Sequence, residues 1–373
     1  MNAIPRRVWL EINLTTLTEN YCKIAAAVTP ATTIAVLKAN AYGLGVLPIA
    51  QALSAAGVNH FGVAEPHEAI QLVPLQKRVQ VLSSILPDEI PAMVENRIIL
   101  PATDLETVTL ISQESVRQGV TTAVHLKIDT GMGRLGIRVE NAPQIIRAMM
   151  RLPNLAFDGI FSHFPCAYDV NSELTRQQID RFCALLADLA HDGIVIPLRH
   201  IANSDAINNY PQACKPPFNV VRTGINLHGS FDTAGQRSLH VIPVLTLKTR
   251  IASIRNLPQG TGIGYGHTHR LSHPMRVAVI SAGYADGLPL ALSNTGYVII
   301  HGKRCPVLGR ISMDYTVVSL EHVAQAAVGD EVICLGQQGD ERVTVEDWAA
   351  IKETHPYEII CSFGSRVERV YTR

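Results

Sequence analysis

The residues able to do chemistry begin with Lys38, which closes the run Thr-Ile-Ala-Val-Leu-Lys at positions 33–38. That run is β-branched and apolar, the composition of a buried strand. Lysine is rarely buried without a partner. At a strand end it either snorkels, its stem covering apolar surface, or it serves as the amine of a Schiff base. Further along the chain stand Lys127 with Asp129 and Arg134, then His163, then His200 with Asn203 and Ser204, then Arg222 with Gly224. Each has an ordinary reading by itself: a satisfied core histidine, a surface arginine, a Gly131-Met132-Gly133 turn. Together they amount to a reactive amine, imidazole and aromatic faces for a flat ring, and backbone amides near Ser204 and Gly224 suited to a phosphate.

These groups work together only if the fold gathers them. Apolar-rich strand candidates recur at Val58–Ala64, Val79–Ser84, Arg97–Leu100, Ala123–Asp129, Leu155–His163, Leu198–Ala202 and Val220–Leu227. Helical spacing fills stretches between them, as in Thr103–Gln118, Asn141–Leu152 and Leu174–His191. With the Lys38 strand these make eight strands alternating with helices over roughly 230 residues, the number and length of a (β/α)8 barrel. A doubly wound sheet is the other arrangement of such units, but no Gly-x-Gly-x-x-Gly follows an early strand. In a barrel the carboxyl ends of the strands face one site, and the residues named above lie at those ends. The chemistry then points to pyridoxal phosphate, which needs a lysine to hold it, a partner for its pyridine nitrogen and a phosphate clamp.

Arg7–Leu14 reads as an opening strand, with Asn13-Leu14-Thr15 leading into a helix to about Val28. From about Leu239 the pattern changes to short strands: Val241–Leu257, Val277–Ser281, Tyr297–His301, Cys305–Leu308, Thr316–Leu320 and Glu331–Leu335. Asp-Gly, Asn-Thr-Gly and Gly-Asp turns separate them, and helical spacing returns only at Val345–Ile351. The expected organisation is a barrel over residues 1–235 and an all-β domain over 236–373.

Composition excludes several classes. The chain has 373 residues, 47% hydrophobic and 17% charged, with a formal net charge of zero. That describes a well-buried soluble protein and favours neither nucleic acid nor an anionic membrane surface as partner. No apolar stretch reaches the length of a bilayer span, and the amino-terminal residues lack the apolar core of a secretory signal. Seven scattered cysteines without a Cys-x-x-Cys pair argue against a disulfide framework and a zinc site, and fit a reducing cytoplasm.

The segment Ala-Val-Leu-Lys-Ala-Asn-Ala-Tyr-Gly-Leu-Gly (35–45) resembles the cofactor-lysine motif of the alanine racemase family. The resemblance continues through His-Leu-Lys-Ile-Asp-Thr-Gly-Met-Gly-Arg-Leu-Gly (125–136), Gly-Ile-Phe-Ser-His-Phe (159–164) and His-Ile-Ala-Asn-Ser (200–204). In the second domain it takes in Gly-Tyr-Gly-His-Thr (264–268), Gly-Tyr-Ala-Asp-Gly (283–287), Gly-Arg-Ile-Ser-Met-Asp (309–314) and Tyr-Glu-Ile-Ile-Cys (357–361). Many independent segments agree in order over nearly the whole chain.

The resemblance implies a pyridoxal-phosphate-dependent homodimer that interconverts L- and D-alanine and supplies D-alanine for bacterial peptidoglycan. Each active site would be completed by the β domain of the other subunit. Lys38 would hold the cofactor and act as base on one face, with Tyr265 of the partner subunit on the opposite face. Inverting an α-carbon requires proton removal on one side and delivery on the other. Free lysine titrates near ~10.4, so its charged form must be disfavoured by roughly 4–5 kcal/mol near neutral pH, which neighbouring cations promote. By the same resemblance, His163, Arg222 and His200 would form a network behind Tyr265, with Arg222 facing the pyridine nitrogen and leaving it unprotonated. Tyr42, Asn203, Ser204, Gly224, Ile225 and Tyr357 would hold the cofactor, most of them its phosphate. Arg134 and Met313 would meet the substrate, Lys127 stands where the family often carries a carbamate, and Tyr284 and Asp314 would belong to the entrance.

Leu44, His228, Gly264 and Pro165-Cys166 depart from the commoner family pattern without removing any of these groups. The alternatives are a racemase of serine or other small amino acids, and a pyridoxal-phosphate decarboxylase on the same two-domain plan. A decarboxylase would carry a glycine-rich phosphate loop where this chain has His-Ile-Ala-Asn-Ser.

Overall fold

The computed structural model describes residues 6–232 and 234–373. The chain opens with strand β1 (Val8–Asn13) and helix α1 (Leu14–Val28). The helix starts there because the Asn13 side-chain oxygen accepts the Thr16 amide at 2.9 Å, an N-cap contact.

Eight parallel strands then alternate with helices: β2 (Thr32–Val36), α2 (Val46–Ala55), β3 (His60–Val63), α3 (Pro66–Leu72), β4 (Arg78–Val81), α4 (Ile90–Glu95), β5 (Leu100–Ala102), α5 (Leu105–Gln118), β6 (Thr122–Asp129), α6 (Ala142–Met149), β7 (Leu155–Phe161), α7 (Glu173–His191), β8 (Leu198–His200), α8 (Ser204–Asn209) and β9 (Val220–Thr223). The order β9-β2-β3-β4 forms one run and β5-β6-β7-β8 another. A parallel bridge from Gln80 to Ile99 joins β4 to β5. Backbone bonds from Asn219 to Arg199 (3.1 Å) and from Arg222 to Ala202 (3.0 Å) join β8 to β9. The sheet therefore closes, and the (β/α)8 expectation holds.

Strand residues such as Ile34, Phe61, Val81, Leu126, Ile160 and Val221 are fully buried. Branched apolar side chains usually fill such a barrel, but this interior carries a polar group. His60 on β3 meets His125 on β6 edge to face, with ring centroids 5.9 Å apart. Two strands separate β3 from β6 in the sheet, so the rings meet across the interior.

In the other unit, β10 (Leu245–Leu257), β11 (Met275–Ile280), β12 (Tyr297–Ile300), β13 (Lys303–Leu308), β14 (Thr316–Ser319) and β15 (Glu331–Gln338) pair antiparallel in the closed order β10-β11-β14-β13-β12-β15-β10. Strand β16 (Glu341–Val343) extends β15, helices α9 (Val345–Lys352) and α10 (Pro356–Cys361) follow, and β17 (Glu368–Thr372) ends the chain.

One expectation needs correction. The boundary at 235 puts β1 in the barrel half, but β1 pairs antiparallel with β10 and parallel with β17. Residues 6–17, 228–232 and 242–373 form the β unit, whereas 234–241 pack with the barrel residues 18–227. Alternation identifies β1 as a strand, but local sequence does not say which sheet it joins.

Strand β10 is the hub of this unit, since Leu247 faces Leu10 on β1 and Leu335 on β15 and is fully buried. Leu247→Ala should cost about 2–5 kcal/mol of stability in chemical denaturation. A loss below about 1 kcal/mol would show that the sheet does not depend on this junction.

Candidate active site

Lys38 follows β2 directly, and the Leu37 amide before it binds the Gly62 carbonyl at 2.8 Å. The next four residues are left-handed: Ala39, Asn40, Ala41 and Tyr42 have φ of 54°, 55°, 53° and 59°, and Gly43 follows at 79°. Each non-glycine residue there costs roughly 1–2 kcal/mol, so the surroundings must impose the turn. Glu68 on α3 accepts the Asn40 amide at 3.0 Å, and the Asn40 side chain accepts the Val46 amide at 2.8 Å. The reversed chain buries Tyr42. A Cβ at Gly224 would collide with the Tyr42 hydroxyl, so glycine is what lets that phenol reach β9. The Gly224 amide donates to the Ser204 hydroxyl at 3.1 Å. Tyr42, Ser204 and Gly224 thus form a small polar cradle beside buried Ile225. Asn203 serves locally as the N-cap of α8, its side chain accepting the Ala206 amide at 3.0 Å.

Arg222 on β9 is buried, and its hydrogen-bond partners are neutral acceptors. One terminal nitrogen, Nη1, donates to His200 Nδ1 at 2.8 Å. The other, Nη2, donates to the Ser162 carbonyl at 2.8 Å, the Ile201 carbonyl at 3.2 Å and His163 Nδ1 at 3.2 Å. Burial pulls its pKa down to about 9, which leaves it a cation at neutral pH. Burial and then the Arg222 charge hold both His163 and His200 well below the ordinary imidazole value. Both rings are therefore neutral, with Nδ1 accepting.

Lys127 on β6 is buried, and its ammonium donates to the Leu82 carbonyl at 2.5 Å and the Ser83 carbonyl at 3.3 Å. Burial, followed by the charges of Arg222, Arg134 and Lys38, lowers its pKa to about 7. Both of these bonds go to carbonyls, not to the carboxylate an ordinary buried lysine would seek. Asp129 accepts the amides of Gly131, Met132 and Gly133 at 2.8–3.1 Å, which shapes the loop that carries exposed Arg134. Lys38, Lys127, Arg134, His163, Arg222 and His200 are thus brought together at the carboxyl end of the barrel, where sequence spacing put them.

Phe161 was not singled out from sequence, yet it is the floor of this cluster. Its ring stacks on His200 at 5.0 Å and 4°, and lies 5.3 Å from Lys127 Nζ and 5.5 Å from Arg222 Cζ. His125 was missed as well. Both lie two residues before a named residue, Phe161 before His163 just past the end of β7 and His125 before Lys127 on β6, and that spacing was the available signal.

In the β unit, Tyr265 begins a short turn after left-handed Gly264 (φ 66°) and is 70% exposed. Tyr284 donates its amide to the Ser312 carbonyl at 3.0 Å, and Ala285 donates to the Met313 carbonyl at 3.1 Å. A Cβ at Gly283 would collide with those same two carbonyls, and one at Gly264 would press on the Arg310 carbonyl. The glycines therefore bring Tyr265, Tyr284, Met313 and Asp314 into one region, with both tyrosines and Met313 exposed. Arg366 donates to Asp314 at 2.8 Å and to Asp286 at 2.7 Å. Tyr357 lies on α10.

A closed parallel barrel with cations and imidazoles at the carboxyl ends of its strands, followed by a β unit, defines a two-unit barrel enzyme. Residues 12–231 match the family model for the N-terminal domain of alanine racemase, and residues 244–371 match that for its C-terminal domain. The alanine racemase of Halothermothrix orenii is 35% identical over 372 residues, covering 99% of this chain and 97% of that one. The solved alanine racemase of the D-cycloserine producer Streptomyces lavendulae superposes with a TM-score of 0.92 at 32% identity, covering 100% and 98%. That of Bartonella henselae, solved with covalently bound pyridoxal phosphate, gives 0.88 at 28% identity, covering 99% and 100%. The chain belongs to the alanine racemase family, a family of isomerases that are amino-acid racemases.

The Lys127 environment makes a signed prediction. Between about pH 7 and 10.5 the folded chain holds this amine mostly neutral while the unfolded chain holds it charged, so unfolding takes up a proton and stability rises with pH. Lys127→Met should flatten the rise by up to about 1.4 kcal/mol per pH unit over that window, read by urea denaturation at several pH values. Parallel wild-type and variant curves would contradict a buried, mostly neutral amine.

Proposed function

We propose that this chain interconverts L- and D-alanine with pyridoxal phosphate as cofactor. The observation that carries the reading is the buried Arg222, wrapped in neutral acceptors, at the barrel end that also gathers Lys38, Lys127 and the Tyr42–Ser204–Gly224 cradle. The donor set fits the group: two hydroxyls and the Gly224-Ile225 backbone suit a phosphate, and a donor-only guanidinium suits an unprotonated ring nitrogen. When bound, pyridoxal phosphate supplies an electron sink for the α-carbon of an attached amino acid.

In this reading Lys38 holds the cofactor and exchanges a proton on one face of the substrate. Tyr265 of the partner subunit exchanges it on the other, and the exposure of Tyr265, Tyr284 and Met313 supports a homodimer that covers them. The chain's own positive cluster disfavours the charged form of any nearby amine, which suits a lysine acting as base. Asn203 sets the backbone at Ser204, and Tyr357 joins the phosphate clamp. Arg134 and the Met313 backbone bind the substrate, and Tyr284 and Asp314 narrow an entrance that admits a methyl side chain and excludes larger ones. Lys127 stands where a carbamate would form, and the lowered pKa of its amine supplies the uncharged form able to take one up. A cytoplasmic source of D-alanine for peptidoglycan completes the proposal.

Purified protein should absorb visible light as bound pyridoxal phosphate does, and Lys38→Ala should abolish that band. L-alanine and D-alanine, incubated separately, should reach the same near-equal mixture, with serine turned over far more slowly. A colourless protein, or carbon dioxide release without racemisation, would overturn the reading. Tyr265→Phe should lower racemisation by about 10²–10⁴, and in heavy water it should keep α-proton exchange without inversion on one enantiomer while losing it on the other. Equal exchange on both enantiomers would remove the two-base assignment.

A further inference from the structure

Behind Arg222 a line of side chains runs on through the barrel. His200 Nε2 lies 3.1 Å from His125 Nδ1. His125 Nε2 lies 3.0 Å from Asp158 Oδ1, and Asp158 Oδ2 accepts from Arg78 Nη2 at 2.5 Å. We propose that Asp158, acting through His125 and His200, specifies the proton arrangement that anchors the Arg222 guanidinium, so that Asp158 and His125 are positioning residues for the catalytic site.

The argument is one of donors and acceptors. Arginine only donates, and an ionised carboxylate only accepts. Because Arg222 Nη1 donates to His200 Nδ1, the His200 proton sits on Nε2 and points at His125 Nδ1. That nitrogen must then accept, so the His125 proton sits on its own Nε2, the nitrogen 3.0 Å from Asp158 Oδ1, where the carboxylate charge favours an N–H although the contact is bent away from a straight hydrogen bond. One arrangement suits both ends, and it requires both rings to be neutral. Burial disfavours the charged form of each, and although burial pushes Asp158 up, the contacts with His125 and Arg78 keep it ionised below its ordinary value.

The line is built into the backbone. The register between β6 and β7 slips between Val124 and His125: Val124 faces Phe157 and His125 faces Gly159, leaving Asp158 as the extra residue of a bulge. A Cβ at Gly159 would overlap the His125 ring, so the ring occupies the space that the glycine leaves. Packing alone would explain filled space, but it does not require a carboxylate at the far end.

Asp158→Asn keeps the shape and reverses the logic. Arg78 holds the amide oxygen, so the amide NH2 faces His125 Nε2, which must now accept. The proton moves to His125 Nδ1, then to His200 Nδ1, where it meets the Arg222 donor head on. Adding Arg78→Ala frees the amide to turn and present its oxygen to His125. The test uses protein labelled with 15N-histidine, in which ring 15N shifts distinguish protonated from bare nitrogens without cofactor chemistry or substrate.

Wild type should show both protons on Nε2. Asp158→Asn should show them on Nδ1, with kcat down about tenfold or more and KM within about threefold. The double variant should restore the wild-type tautomers and most of kcat. Unchanged tautomers in Asp158→Asn, a loss of kcat without a tautomer change, or a double variant no better than the single one would overturn the inference. Its link to turnover rests on the racemase reading, but the tautomers do not. Reversal and rescue in a protein that fails to racemise would sink that reading and leave the relay standing.

Discussion

The site depends on burying a guanidinium without setting a carboxylate against it. Moving a cation out of water costs several kcal/mol unless it is paired or hydrogen-bonded. Here two imidazole nitrogens and three main-chain carbonyls supply the acceptors, and the Phe161 ring lies against the charge. Because no carboxylate among the described residues pairs with Arg222, its field remains to act on its neighbours. His163 and His200 lose their protonated forms, and Lys127 is drawn toward neutrality. A carboxylate in place of His200 would have stabilised the arginine more and quenched that field. The arrangement gives up stability for a positive, proton-poor barrel end, the condition an anionic ligand and a basic amine both require.

The backbone meets the same end by local strain. Four consecutive left-handed non-glycine residues form one of the costlier features of the chain, roughly 1–2 kcal/mol each. They place Lys38 before a tight reversal and Tyr42 behind it. Relaxing them into a right-handed turn would break the Asn40–Glu68 and Asn40–Val46 bonds and move the phenol off Gly224. The strain is thus tied to the site, because the contacts that hold it also build the cradle.

Much of this was legible in the sequence. Apolar β-branched runs located the barrel strands, and the carboxyl-end rule grouped Lys38, Lys127, His163, His200 and Arg222, which the structure brings near one another. Boundaries slipped by a few residues, as where Arg97–Leu100 became Leu100–Ala102, because terminal residues bond through isolated bridges and loops. The turn after Lys38 was not legible. Ala-Asn-Ala-Tyr favours right-handed helix or plain loop, and the force that inverts it comes from Glu68, about thirty residues on. The sheet joined by β1 was equally hidden, since period-two alternation reports a half-buried strand and says nothing of its neighbour.

Asp158 is the hardest case, and shows where pattern reading ends. In a regular β7 the side chains of Phe157 and Gly159 share one face and Asp158 takes the other. Read that way, Asp158 belongs with the solvent and earns no role. The bulge breaks the alternation at that residue, and a bulge is a property of two strands in register, absent from either alone. It also needs Gly159 next door to admit a histidine ring from β6. Three residues on two strands, ordinary one by one, thus set a surface-type aspartate, 3.0 Å from His125, at the end of a line begun by Arg222. Where a barrel interior holds an unexplained histidine, the residue worth finding is the one that decides which of its nitrogens carries the proton.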